Sequence, residues 1–287
     1  MKNLIYNIET KEDYKKELRR NLRAENRTFF TANQSGYDIS YQSYLDNIHP
    51  CLLERVNPLW AEDDTESKKS SSELYEHKKA FRKKCWQTAE TLNGGKDILC
   101  PLCEISHCDE LDHYIPRENM PEFSVFSPNL IPLCHDCNHT KGTYWLDENQ
   151  NRLIFNAYFD IIIEKPICVC KIFLVDGFPY AKVDMNGDFD NNNVNELRIK
   201  TTIEKLHLVE RWQSRCEEYF NLEIIRLEKD YRMEYWHSIE DYWKYKRDCY
   251  QDYLKEGAKI PFVNRLLYEG IISSQVMGEW LKGRLNK

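Results

Sequence analysis

The chain has 287 residues, enough for one large domain or two modest ones, and its 41% hydrophobic residues can supply a core. A mean hydropathy of −0.70 excludes a membrane span, since even the most apolar stretch, Ile161 to Val175, is broken by Glu164, Lys165 and Lys171, and Met1 to Arg20 lacks the apolar run of a secretory signal, which makes the cytoplasm the expected location. The net charge of −7 argues against indiscriminate nucleic-acid binding, which draws on clustered Lys and Arg, and eleven cysteines, an odd number, exclude complete disulfide pairing and fit a reducing compartment.

Residues 1–70 are expected to start as helix, where Tyr14, Leu18 and Leu22 recur at four-residue spacing, and to continue as a Tyr- and Ser-containing stretch to Trp60. Ala61 to Ser72 is polar and serine-rich, which predicts a linker or exposed loop. A helix is predicted from about Glu73 to Leu92, ending at Asn93-Gly94-Gly95, where glycine can take the left-handed cap conformation. It carries the most basic local run of the chain: His77, Lys78, Lys79, Arg82, Lys83 and Lys84 between Tyr75, Phe81 and Trp86. Such a run is often only a solvated helix face. Here it stands directly before the motifs that follow, which makes it a candidate substrate contact.

Cys100-Pro-Leu-Cys103 and Cys134-His-Asp-Cys137 are two Cys-x-x-Cys pairs flanking residues 104–133. Two residues between ligands let a tight turn aim both sulfurs at one tetrahedral zinc, and the second pair closes the site, so a structural Zn²⁺ is expected. His107, Cys108 and His135 lie near enough to be substitute ligands. Cys168-Val-Cys170, by contrast, places two thiols on one face of a strand and predicts ordinary core packing.

Between and around the knuckles run Glu110-Leu-Asp112-His113-Tyr-Ile-Pro116, Asn129-Leu-Ile-Pro-Leu-Cys134 and Cys137-Asn138-His139-Thr-Lys141-Gly142. In this order, from Cys100 to Gly142, the chain resembles the HNH endonuclease family of the ββα-metal fold. The resemblance implies hydrolysis of a nucleic-acid phosphodiester, with His113 as general base and Asp112 as an oxygen ligand to catalytic Mg²⁺ or Mn²⁺. It gives Asn129 the part of the middle Asn that braces the loop and orients His113. It puts Asn138 at the final position, where many relatives have His, so the motif reads His-Asn-Asn. The adjacent His139 is the alternative metal ligand, and Lys141 is expected to contact a phosphate as a point charge.

Beyond the motif, Arg152 to Phe155 reads as a short strand and Cys168 to Val183 as two more, turning at Asp176-Gly177. From Val194 to about Glu256 the pattern is helical, with Tyr231, Tyr235, Tyr242, Tyr245, Cys249 and Tyr253 on one face, expected to be core, and a short helical region ends the sequence. The fold class is therefore α+β, a zinc-braced ββα core flanked by helical regions. Residues 1–70 form the N-terminal region, 71–150 the nuclease domain with its basic helix, 151–190 a short β segment and 191–287 a helical region.

Within Lys96 to Asp147 the only cations besides His are Lys96, Arg117 and Lys141, against nine acidic residues including Asp109, Glu110, Asp112 and Glu122. Such ground repels a phosphate backbone, so either the helix bearing Lys78, Lys79, Arg82, Lys83 and Lys84 docks the nucleic acid or a protein partner delivers it. DNA is favoured over RNA as substrate. Stand-alone HNH proteins of this size resemble bacterial restriction and anti-phage nucleases, which often act beside an ATPase; the chain has no Walker-type loop of its own. The alternative is a zinc-stabilised nucleic-acid-binding or assembly protein in which Asp112 and His113 are vestigial.

Overall fold

The computed structural model describes residues 1–6, 24–49, 51–76, 78–233, 236–255 and 260–285. The helix expected around Tyr14, Leu18 and Leu22 lies outside them, as do His77 and Tyr235. Helices dominate, joined by two small antiparallel sheets of two strands each, so the chain is α+β. No described helix is long and apolar enough to cross a membrane. The chain forms two compact units, one of Met1–Leu102, Ser106–Ile163 and Asn191–Leu206, the other of Cys103–Ile105, Glu164–Asp190 and His207–Lys287.

The first unit opens with helices α1 (Ala24–Ala32) and α2 (Gln34–Ile48). Tyr37, Tyr41 and Tyr44 recur on one face of α2 at the helical period, and all three are buried. Tyr41 stacks on Phe126 with ring centroids 4.7 Å apart, and Tyr44 meets Phe123 at 5.0 Å, so α2 covers the turn that precedes Asn129.

The serine-rich stretch is not a loop: α3 spans Thr65–Glu76, with Ser71, Leu74 and Tyr75 turned inward. The Asp64 carboxylate accepts from Ser67 N at 3.0 Å and caps its start, while Tyr37 and Ser71 share a 2.6 Å hydroxyl hydrogen bond. Packing of this inner face outweighs the modest helix cost of serine. The single helix expected from Glu73 is therefore two, α3 and α4 (Lys79–Leu92), broken before Lys79. Helix α4 does stop at Asn93, where Gly94 and Gly95 hold φ of 94° and 109°.

Strands β1 (Glu110–His113) and β2 (Leu130–Leu133) pair antiparallel with Asp112 opposite Ile131 and His113 opposite Leu130. Helix α5 (His135–Lys141) follows at once, closing at Gly142 with φ 49°. No strand forms at Arg152 to Phe155, only an isolated bridge between Leu146 and Arg152. The reason lies in tertiary partners: the Arg152 guanidinium, fully buried, pairs with Asp160 at 2.6 Å and Glu54 at 3.0 Å, and Phe155 N donates to Thr202 Oγ1 at 2.7 Å. Arg198, from α6 (Val194–Lys205), joins the same Asp160 at 3.3 Å. Two buried cations meeting two carboxylates satisfy the rule that interior charge is paired.

In the second unit, β3 (Cys168–Val175) and β4 (Phe178–Met185) form the expected hairpin, with Asp176 and Gly177 both at positive φ in its two-residue turn. Its inner face, Cys168, Cys170, Ile172, Ala181 and Val183, is buried, and the paired thiols are core residues. Helices α7 (Leu208–Met233) and α9 (Phe262–Ser273) pack on β4 and β3. Gly270 permits the approach of α9, because a Cβ there would stand 2.8 Å from the Cys170 carbonyl oxygen. Helices α8 (Ile239–Lys255) and α10 (Gln275–Leu285) complete the unit.

The helical region expected from Val194 to about Glu256 is present as three described helices, but its tyrosine stripe is not one continuous core face. Ile239, Tyr242 and Tyr250 form the buried line of α8, whereas Tyr245 and Tyr253 are 49% and 41% exposed and Cys249 faces outward. Tyr231, near the end of α7, packs against Tyr242 of α8 with ring centroids 5.4 Å apart.

Candidate functional site

Cys100, Cys103, Cys134 and Cys137 are all buried, and their sulfurs lie within 4.8 Å of one another. None is in a disulfide. Among the described residues this is the only group of three or more His, Cys, Asp or Glu close enough to hold a metal. Four convergent thiols with no open position fit a structural zinc. His107, Cys108 and His135 stand outside the group.

Local hydrogen bonds shape both knuckles. Cys100 N donates to Ser106 O at 2.8 Å, Ile105 N donates to Cys103 Sγ at 3.5 Å, and Glu104 at φ 53° turns the chain between them. On the second knuckle His135 N donates to Asp109 Oδ1 at 2.8 Å, which ties the first turn of α5 to the residue before β1. A carboxylate at that helix start also suits the helix dipole.

Because side chains alternate across a strand, Glu110 and Asp112 share one side of β1 and His113 takes the other. Helix α5 answers the two carboxylates at a spacing of three: Asn138 Nδ2 donates to Glu110 Oε2 at 2.5 Å, and Lys141 Nζ donates to Asp112 at 3.0 Å. Lys141 also donates to His113 O at 3.0 Å. Its side chain is 1% exposed and that of Asp112 is 5% exposed, so Lys141 is an internal counter-ion and not the surface phosphate contact expected of it. Burial raises the Asp112 pKa, and the Lys141 charge opposes that rise.

Glu110 accepts a second bond, from His135 Nδ1 at 2.9 Å. These hydrogen bonds from His135 and Asn138 hold the Glu110 carboxyl below its usual range, and the same carboxylate raises the His135 pKa. His139 does not reach the strand; its ring stacks on His135 at 5.8 Å and is exposed. Of the two adjacent candidates, Asn138 is the one turned to β1.

On the opposite side of the strand His113 Nε2 lies 2.9 Å from Ser124 O. A carbonyl only accepts, so Nε2 carries the proton and Nδ1 keeps the lone pair. Burial pushes the imidazole pKa down to about 3, against the Ser124 hydrogen bond, and the Arg117, Lys141 and Arg82 charges push the same way. The ring is a neutral base at physiological pH. Asn129, fully buried, fixes the segment that follows: its Oδ1 accepts from Ile115 N at 2.8 Å, and its Nδ2 donates to Ile115 O at 3.0 Å. The side chain thereby closes the 115–129 loop that carries Ser124.

The basic run divides. Lys78 is 4% exposed at the start of α4, which removes it from any surface contact, whereas Lys79, Lys83 and Lys84 are exposed. Arg82 lies over the Tyr75 ring at 4.9 Å, and Arg117 covers the same ring at 5.3 Å. The Tyr75 ring meets His113 edge-on at 4.5 Å. Sequence reasoning gave no part to Glu110, Arg117 or Tyr75, and considered His135 only as a substitute zinc ligand. The i, i+2 carboxylates of Glu110-Leu-Asp112 were the signal available for the first of these; the others needed the tertiary fold.

No family model matches the chain and no solved structure matches it. Two curated relatives share parts of it. Over 40 residues, 14% of each chain, it is 48% identical to Protein ea31 of Escherichia phage lambda. Over 109 residues, 38% of this chain and 34% of the relative, it is 28% identical to the Septu protein PtuB of Bacillus thuringiensis, so the matches span about a seventh and a third of those relatives' lengths.

Proposed function

We propose that the chain is an HNH-type, metal-dependent endonuclease that hydrolyses phosphodiester bonds, in DNA before RNA. The carrying observation is His113: an imidazole held neutral by burial, whose Nε2 is engaged by Ser124 O and whose Nδ1 keeps its lone pair, across one strand from two carboxylates. In this reading Nδ1 takes a proton from water, the water oxygen bonds to phosphorus as the P–O3′ bond breaks, and the departing O3′ takes a proton from solvent, which gives 5′-phosphate and 3′-hydroxyl ends. Asn129 keeps the base in place by fixing Ile115.

Asp112 and the Asn138 amide oxygen, with Glu110 beside them, are hard oxygen donors of the kind Mg²⁺ or Mn²⁺ takes, and the ion when bound would supply positive charge to the phosphate; Asn138 now turns its Nδ2 to Glu110, so its amide would have to turn over to offer the oxygen. The Lys141 ammonium already occupies a cation's place beside Asp112. Asp112 would have to exchange that partner on metal binding. Zinc on the four cysteines would tie the Cys100–Cys103 turn to the start of α5.

The likeness to the Septu protein PtuB supports a setting in anti-phage defence, and the origin of Protein ea31 in phage lambda is in keeping with it. A protein partner such as an ATPase would deliver the nucleic acid to this acidic chain. Plasmid nicking with Mg²⁺, compared between wild type and His113→Ala at equal zinc content, tests the reading; equal rates would sink it. The second reading, a zinc-stabilised nucleic-acid-binding protein with a vestigial site, is favoured by the Lys141–Asp112 pair, and it predicts binding of DNA without nicking in either protein.

A further inference from the structure

Three cations converge on His113, and only Lys141 is enclosed. The other two, Arg82 from α4 and Arg117 from the turn after β1, lie over one aromatic ring, with guanidinium carbons 4.9 Å and 5.3 Å from the Tyr75 centroid. Tyr75 in turn touches the His113 ring at 4.5 Å. Stacking on a ring fixes a guanidinium plane while leaving its N–H fork able to bind. Both arginine side chains keep about a third of their surface open, 30% for Arg82 and 31% for Arg117.

Their present counter-ion is a single carboxylate. Arg117 Nη1 donates to Glu76 Oε1 at 3.0 Å, and Arg82 Nη1 stands 4.0 Å from Glu76 Oε2. The Glu76 side chain is 57% exposed, beside an open depression of about 390 Å³ that it lines with Lys68, Ser72, Glu73, Arg117 and Glu118. An exposed ion pair of this kind contributes little and exchanges readily, whereas a phosphodiester offers two non-bridging oxygens to a pair of guanidinium forks. Along α4, exposed Lys79 lies three residues before Arg82 on the same side of the helix, which extends the positive line beyond one anion.

We propose that Arg82 and Arg117, held on Tyr75, form a seat for a nucleic-acid phosphate beside His113, and that Glu76 is the group this phosphate displaces. The proposal deepens the nuclease reading by naming how substrate docks, and it rests on that reading for the role of the seated phosphate. Binding itself needs neither magnesium nor turnover, so the two are separable.

The test is fluorescence anisotropy of a short labelled DNA duplex with the full chain, zinc loaded and without added magnesium, over a range of salt. Arg82→Ala with Arg117→Ala is expected to weaken binding about tenfold or more and to lower the slope of log affinity against log salt by about 2. Glu76→Gln is expected to tighten binding severalfold, a gain that misfolding cannot produce. Double-alanine binding equal to wild type, no binding by wild type, or no gain in Glu76→Gln overturns the seat. A wild type that binds through the arginines but never nicks with Mg²⁺ leaves the seat standing and removes the nuclease. A wild type that nicks while the double variant binds and nicks equally well removes the seat alone.

Discussion

Lys141 Nζ stands 3.0 Å from the Asp112 carboxylate inside the first unit, with both side chains nearly sealed from solvent. Each charge is tolerable there because the other is present. Replacing Lys141 with Met leaves a buried carboxylate without a partner and should cost about 3–5 kcal/mol. Adding Asp112→Asn to the same chain removes the uncompensated charge and should recover much of the loss. Urea unfolding of wild type, single and double variants checks both; a single variant within ~1 kcal/mol of wild type would show that the ammonium does not hold the carboxylate.

Asn129 uses both ends of its amide on one residue, Ile115. Asn129→Ala strands a buried N–H and C=O and should destabilise by about 2–3 kcal/mol. Asn129→Asp should be worse, since one carboxylate oxygen would face the Ile115 carbonyl. In the proposed nuclease both variants should lose nicking further than stability alone explains, because the loop carrying Ser124 no longer orients His113. Thermal melts alongside nicking at a temperature where every variant is folded measure the two effects separately.

The parts of this site that were legible in the sequence are those fixed by short-range spacing. Cys-x-x-Cys twice over gave the metal cluster, and Asp176-Gly177 gave a hairpin whose turn demands positive φ at two successive residues. The strand alternation that separates Asp112 from His113 also follows from local geometry. What failed was set by long-range partners. Serines 70–72 read as linker until Tyr37 and Leu74 packing is known, and Arg152 reads as strand until Asp160 and Glu54 claim it. Lys141 reads as a surface phosphate contact because its spacing says nothing of burial. Arg117 and Arg82 are 35 residues apart in sequence and meet at the ring of Tyr75 and the carboxylate of Glu76.

Metal binding by the four-cysteine cluster can be checked independently of any activity. One zinc per chain is expected by metal analysis, and Cys103→Ser or Cys137→Ser should lower both metal content and stability, since metal binding in small zinc modules carries about 10–16 kcal/mol of folding free energy. Cys168→Ala with Cys170→Ala should keep the full zinc content, because those thiols are core residues of the hairpin. Zinc loss in the hairpin variant with retention in Cys103→Ser would move the metal to the other thiols.

Glu122 gives the fold a pH dependence of unusual sign for a carboxylate. It is fully buried under α2, its Oε1 accepts from Leu59 N at 2.6 Å, and its Oε2 has no hydrogen-bond partner among the described residues. Burial raises its pKa above 4.5 in the folded chain, against the opposing hydrogen bond from Leu59. Between that unfolded value and the raised folded one, the folded chain holds a proton that the unfolded chain has released. Stability from this group is therefore highest below pH 4.5 and falls as pH rises through the window, by at most about 1.4 kcal/mol per pH unit for one proton. Glu122→Gln keeps an oxygen for Leu59 and removes the charge, so its urea midpoint should decline less than that of wild type across the weakly acidic to neutral range. Parallel curves for the two proteins would show that Glu122 titrates alike in the folded and unfolded chain.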